Sequence, residues 1–293
     1  MLRQGIYHQI MRCGARETDM TSFYLSEQQI RFFKTFGYLG FKQLFDAEEV
    51  AWITSGFEES IQRVGQGSVH DGSKRTMFGA PIEHTPQMCT LLDDPRICGI
   101  LSSLLGDDFN YCSGDGNYYT GDTPWHPDGN WGELFAVKIA FYLDPLTADT
   151  GCLRVLPGSQ DPDHYVRKHA INVNGSLELF GVEPKDFPGV VPLETVPGDL
   201  LIFNHDTYHA AYGGGTRRRM FTMNCTRHYH TEHDLNLGYK YISIHSPGGY
   251  NVQTGAGMFY STMLDTASPE RMVHLEQPAH IHNVLFPHLA RTS

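Results

Sequence analysis

The chain has 293 residues, 40% hydrophobic and 19% charged, with a formal net charge of −11. That length can bury a substantial core, and that charge argues against non-specific binding to nucleic acid or to an anionic membrane surface. No apolar run is long enough for a membrane span, and the first residues lack the apolar stretch and cleavage site of a secretory signal. The six cysteines, with no CxxC pair, read as reduced thiols of a cytoplasmic protein rather than a disulfide framework.

Residues 1–23 are expected to form a loosely packed arm, and residues 24–108 a mainly helical region. In LSEQQIRFFKTFGYLGF, Ser26 and Gln29 have capping-box spacing. Ile30, Phe32, Phe33 and Phe36 give an apolar face, and Gly37 stops the helix. FDAEEVAWITSGFEESIQRV repeats the device with Asp46 and Glu49, and DDPRICGILSSLLGDDF is a third helix closed by Gly106.

From 109 to 234, short apolar or alternating runs broken by Gly, Pro, Asp and Asn predict strands. In LFAVKIAFYL, Phe135, Val137, Ile139 and Phe141 share one face, and Ala136, Lys138, Ala140 and Tyr142 share the other. Such a strand has one side on packed core and the other on a partly polar lumen. Helices followed by many strands predict a mainly β fold, a sandwich or barrel with flanking helices. Residues 235–293 read as loops and a short terminal helix at one mouth of the barrel. No repeat or linker is evident, so 1–293 is expected to be a single domain.

The stretch PWHPDGNW places His126 and Asp128 on one side of an extended backbone, where both can grip one ion. Iron(II) that must also bind an organic cosubstrate and dioxygen needs three protein ligands on one face, and two histidines with a carboxylate meet that need. GDLLIFNHDTYHAAYGGG supplies His209 at the end of an apolar run, with His205 as a rival ligand or supporting group. An HxD pair alone is weak, because a chain with 16 histidines contains such pairs in surface turns.

Four stretches in order resemble the phytanoyl-CoA dioxygenase-like Fe(II)/2-oxoglutarate oxygenases: LSEQQIRFFKTFGYLGF, WHPDG, GCLRVLPGSQ and VPGDLLIFNHDTYHAA. The resemblance implies a double-stranded β-helix (jelly-roll, cupin-like) core at 109–234. It implies Fe(II) held by His126, Asp128 and His209, with 2-oxoglutarate and dioxygen as cosubstrates. It also implies an arginine fork for the distal carboxylate of 2-oxoglutarate. In GGGTRRRMFTMN, Arg218 is the best match, and Arg219 stays open because the gap from His209 is slightly short. Gln160 stands where the family often has histidine, and Ala211 where relatives often carry serine.

Lys138, Asn117 and Tyr119 are candidates to contact the cosubstrate. Trp125, Trp131, Tyr142 and His205 are candidates for the substrate pocket. Asp128 marks oxygenation, since halogenating relatives have a small residue there. The expected reaction is hydroxylation of an unactivated C–H bond of a small metabolite, with succinate and CO2 released. Desaturation, epoxidation and cyclisation would use the same ligands. The arginine cluster leaves room for an anionic substrate. Two other readings are a 2-oxoglutarate-independent cupin-like metalloenzyme, which would need no Arg218, and a noncatalytic metal-binding barrel.

Overall fold

The computed structural model describes residues 23–64, 70–250, 252, 254–255 and 257–289. The expected N-terminal arm, apart from Phe23, lies outside them. Helix α1 (Glu27–Phe36) starts at the capping box: Ser26 Oγ accepts from the Gln29 amide at 3.2 Å, and Gln29 Oε1 accepts from the Ser26 amide at 2.9 Å. Gly37, at φ +81°, ends the helix and donates to Phe33 O. The chain then turns straight into β1 (Tyr38–Phe41). Asp46 and Glu49 form the same reciprocal pair ahead of α2 (Ala47–Val64). After β2 (Thr76–Gly79) and α3 (Pro86–Cys89) comes α4 (Pro95–Leu105), capped by Asp94 and closed by Gly106.

Strands β3 (Asn110–Tyr111), β4 (Asp115–Tyr119), β5 (Thr123–His126), β6 (Ala136–Tyr142) and β7 (Leu153–Val155) follow. Two short helices, α5 (Tyr165–Lys168) and α6 (Ser176–Phe180), precede β8 (Val191–Leu193), β9 (Leu200–Asn204), β10 (His209–Ala211) and β11 (Arg218–Thr226). The described chain then continues through α7 (Glu232–His245), α8 (Ser261–Asp265), α9 (Pro269–Val273) and α10 (Glu276–Leu285).

The strands make two antiparallel sheets. The larger has the order β1-β9-β6-β11-β4-β2, with β3 beside β11, and the smaller has the order β5-β10-β7-β8. Alternation along β6 separates two cores. Val137, Ile139 and Phe141 pack with helical residues such as Phe57, Ile100 and Tyr241. Ala140 and Tyr142 pack between the sheets, with Phe203 and Met220 of the larger and Leu153 and Val155 of the smaller. A third cluster, including Trp125, Val166, Phe187 and Ala210, covers the outer face of the smaller sheet. Each fully buried aliphatic or phenylalanine side chain contributes about 1.5–3 kcal/mol. Among the described residues no helix is long and apolar enough to cross a membrane.

The expected fold class needs correction. The protein is not mainly β: among the described residues helices hold 38% and strands 20%. Nor is the expected double-stranded β-helix core a closed barrel: among the described residues the strands form two separate antiparallel sheets, and neither closes on itself. The larger sheet ends at β1 and β2, and the smaller at β5 and β8. Two causes are local. Helical turns interrupt the strand region after β7, and the C-terminal segment read as loops and a short terminal helix carries four helices. Thr231 and Asp234 form a capping box at the start of α7. That signal stood in YHTEHD, but polar residues and Gly238 blur the apolar stripe behind it.

Candidate active site

Strands β5 and β10 pair with His126 directly opposite His209, so both imidazoles project from one face of the smaller sheet. Their ring centroids are 4.4 Å apart. His126 Nδ1 lies 2.8 Å from Pro124 O, and His209 Nδ1 lies 2.9 Å from Thr207 O. Each Nδ1 therefore carries the proton, which leaves each Nε2 lone pair free for a metal. Both Nε2 atoms face Asp128: His126 Nε2 is 4.0 Å from Oδ1, and His209 Nε2 is 3.5 Å from Oδ2. The ligand atoms of the three residues lie within 4.8 Å of one another. A second group, Asp108, His228 and His230, lies nearer the surface, with His230 Nε2 2.9 Å from Asp108 Oδ2.

Asp128 sits just past β5, where its amide and that of Gly129 both donate to His205 O, at 2.8 and 3.0 Å. Position 129 admits only glycine, because a Cβ there would fall 2.2 Å from Trp131 Nε1. Lys138 reaches across from β6 and places its Nζ 2.6 Å from Asp128 Oδ2. Burial pushes the Asp128 carboxyl up, but the Lys138 ammonium beside it outweighs burial and holds the group well below the usual carboxylate range. Burial lowers His209 to about 4, so its imidazole is neutral at physiological pH. One carboxylate and two imidazoles turned to a common point are a donor set that fits Fe(II).

The three adjacent arginines part company. Arg219 points to the helical side and pairs with Asp144 at 2.6 Å and Glu58 at 2.9 Å. Arg217 lies over the Tyr118 ring. Arg218, 4% exposed, turns inward on the face of Met220. Its Nη1 donates to Gly151 O at 2.9 Å, and its guanidinium covers the Tyr119 ring at 4.9 Å. Among the described residues no carboxylate pairs with it. Gly151 and Gly214 make its cradle, since a Cβ at either would fall 2.0 or 2.5 Å from Arg218 Nη1. A buried guanidinium lacking an anionic partner fits the distal carboxylate of 2-oxoglutarate.

The other expected residues are dispersed. Tyr119 lies between Arg75 and Arg218, and Tyr142 is buried near Arg218. Asn117 is occupied, donating to Asp115 Oδ2 at 2.5 Å and accepting from Arg75 Nε at 2.7 Å. Trp125 faces away from the histidines, with Nε1 donating to Pro184 O. Trp131 packs against Phe135 and Tyr241. His205 is buried against Tyr241, is held neutral by desolvation, and stands outside the ligand group. Gln160 donates to Lys34 O and Thr35 O in the last turn of α1. Sequence reasoning missed the Gly151–Gly214 cradle and the residues of α7 and beyond. His245, in the last turn of α7, reaches the backbone of Asp128.

Comparison with known proteins places this geometry. The dioxygenase lolE1 of Epichloe uncinata is 26% identical over 242 residues, covering 76% of this chain and 91% of that protein. HygX from Streptomyces hygroscopicus, solved with nickel and 2-oxoglutarate bound, superposes with a TM-score of 0.57 at 18% identity, over 71% of this chain and 90% of that one. EctD from S. alaskensis, solved with 2-oxoglutarate and 5-hydroxyectoine, gives 0.53 at 21% identity, over 72% and 79% of the two chains. These two are likenesses of fold. The donor set, taken with the family match below, defines the class as non-haem iron, 2-oxoglutarate-dependent oxygenases. Residues 33–220 match the family model described as phytanoyl-CoA dioxygenase (PhyH). That span takes in both histidines, Asp128 and Arg218, and the chain belongs to this family.

Proposed function

We propose that the protein hydroxylates an unactivated C–H bond of a small metabolite. His126, Asp128 and His209 hold the iron, and Arg218 holds the distal carboxylate of 2-oxoglutarate. When bound, Fe(II) and 2-oxoglutarate supply the oxidation: one atom of dioxygen goes to succinate, released with CO2, and the other to the substrate.

The observation that carries the reading is Arg218, a buried cation without an anionic partner among the described residues. Tyr119 stacks against it, and the Gly151 carbonyl orients its fork. The two backbone carbonyls that accept from Nδ1 fix both imidazole planes. Lys138 engages Asp128 Oδ2 and so leaves Oδ1 the freer oxygen for the metal. Asp128 fills the position that halide binding would require to be small, which supports oxygen transfer. No side-chain general base is needed. The described cysteines are free thiols, in keeping with a reducing cytoplasm.

The test is an anaerobic titration of metal-free protein with Fe(II) and 2-oxoglutarate. A visible metal-to-ligand charge-transfer band is expected, and Asp128→Ala should weaken Fe(II) binding more than about 100-fold. A wild-type protein that binds Fe(II) but gives no band with 2-oxoglutarate would sink the assignment.

A further inference from the structure

A cleft opens beside the ligand group, between the ends of β4 and β11 and the segment that follows α7. Asn224, on its wall, is the cross-strand partner of Lys138. His245, also on the wall, touches the Asp128 backbone. The cleft therefore begins one side chain away from the metal carboxylate.

Its lining has a consistent polarity. Among the described residues no lysine or arginine lines it, and Asp115 is the one carboxylate that does. Asp115 Oδ1 accepts from Thr222 Oγ1 at 2.7 Å, and Oδ2 accepts from Asn117 and, at 3.3 Å, from Arg75. The Arg75 side chain is 41% exposed, so that pair is screened and worth little. Asn224 is 8% exposed, and its Oδ1 is buried without a hydrogen-bond partner. An acceptor buried without a donor is costly and is normally matched by something. Tyr250 and Tyr260 add aromatic rings, which attract cations. The arginines that left room for an anionic substrate are elsewhere: none of Arg217, Arg218 and Arg219 lines the cleft.

We propose that this cleft binds the substrate through a protonated amine, donated to Asp115 and Asn224 Oδ1 and covered by the ring of Tyr250. The inference rests on the oxygenase reading and names its substrate class: a small amine with an apolar body. The net charge of −11 favours the approach of such a cation.

The probes are a matched set: cyclohexylmethylammonium, cyclohexylmethanol and cyclohexylacetate. Each is titrated by calorimetry into the anaerobic Fe(II)/2-oxoglutarate-loaded protein and, separately, into metal-free protein. The ammonium is expected to bind at least about tenfold more tightly than either analogue. Asp115→Asn should erase that preference. Tyr250→Leu, at a site 58% exposed and tolerant of change, should weaken ammonium binding alone. Cyclohexylacetate binding as tightly as the ammonium, or an ammonium preference untouched by both substitutions, overturns the proposal. The charge-transfer band tests the cosubstrate reading without any amine, and the metal-free titration tests the amine site without the band. Failure of one is thus seen apart from failure of the other.

Discussion

Replacing Arg218 by methionine should separate cosubstrate binding from folding. The side chain is 4% exposed, makes one hydrogen bond to Gly151 O and stacks on Tyr119, but has no carboxylate partner among the described residues. Methionine keeps most of the packed stem. The lost hydrogen bond and ring contact are offset by removing a buried charge, so the melting temperature should change little. The bound 2-oxoglutarate loses its charge-assisted fork, which costs about 2–4 kcal/mol, or about 30- to 1,000-fold in affinity. Arg219→Met should do the reverse. It strands Asp144 and Glu58, which are half-buried on the helical side, and costs about 1–2 kcal/mol of stability with cosubstrate affinity intact. The assay is an anaerobic 2-oxoglutarate titration of the charge-transfer band, run beside thermal melts of the same proteins. The reasoning is refuted if Arg218→Met binds 2-oxoglutarate within about threefold of wild type, or if Arg219→Met is the variant that loses it.

Lys138→Met leaves Asp128 without its buried partner, so metal-free protein should melt about 5 °C lower. Added Mn(II) should restore most of that loss, because the metal replaces the missing positive charge; an equal deficit with and without metal would count against the pairing. Glu83 provides a pH test away from the metal. Burial pushes its carboxyl up to about 7, despite hydrogen bonds from the Tyr260 amide and the Tyr111 and Ser113 hydroxyls. The folded protein therefore holds this proton between about pH 4.5 and 7, where the unfolded chain has released it. The stabilisation is complete below about pH 4.5 and fades as pH rises through 7, a loss of about 3 kcal/mol. Urea unfolding at pH 5, 7 and 8.5 should show that decline flattened in Glu83→Gln, and an unchanged slope would remove Glu83 as its cause.

The metal half of the site was legible because its chemistry is local in sequence. An i, i+2 pair beside a turn and a histidine ending an apolar run are both pattern-level facts. Between the arginines, the family pattern favoured Arg218 and left Arg219 open, and the structure sends the two to opposite faces of the sheet. Lys138 stood out as the one charge in an apolar strand. What escaped depends on distant segments meeting. Asn117 looked available, but its partners Arg75 and Asp115 come from the chain before β2 and the start of β4. Whether sheets close is a property of strand order, which periodicity does not encode. The cleft draws on β4, β11 and the residues after α7, and no window of sequence contains it.

The placement of His126 and His209 as direct partners in the β5–β10 ladder has a dynamic consequence. The smaller sheet is built from strands of only three or four residues, with an irregular register between His209 and Ala211. Short ladders open by local unfolding more readily than long ones. A metal gripping both strands closes the loop from His126 to His209, and it opposes that opening directly. Iron loading should therefore slow amide hydrogen exchange in β5 and β10 far more than in β6 or β11. Loss of iron would show first as loosening of this sheet, so the cofactor acts as a rivet as well as a reagent.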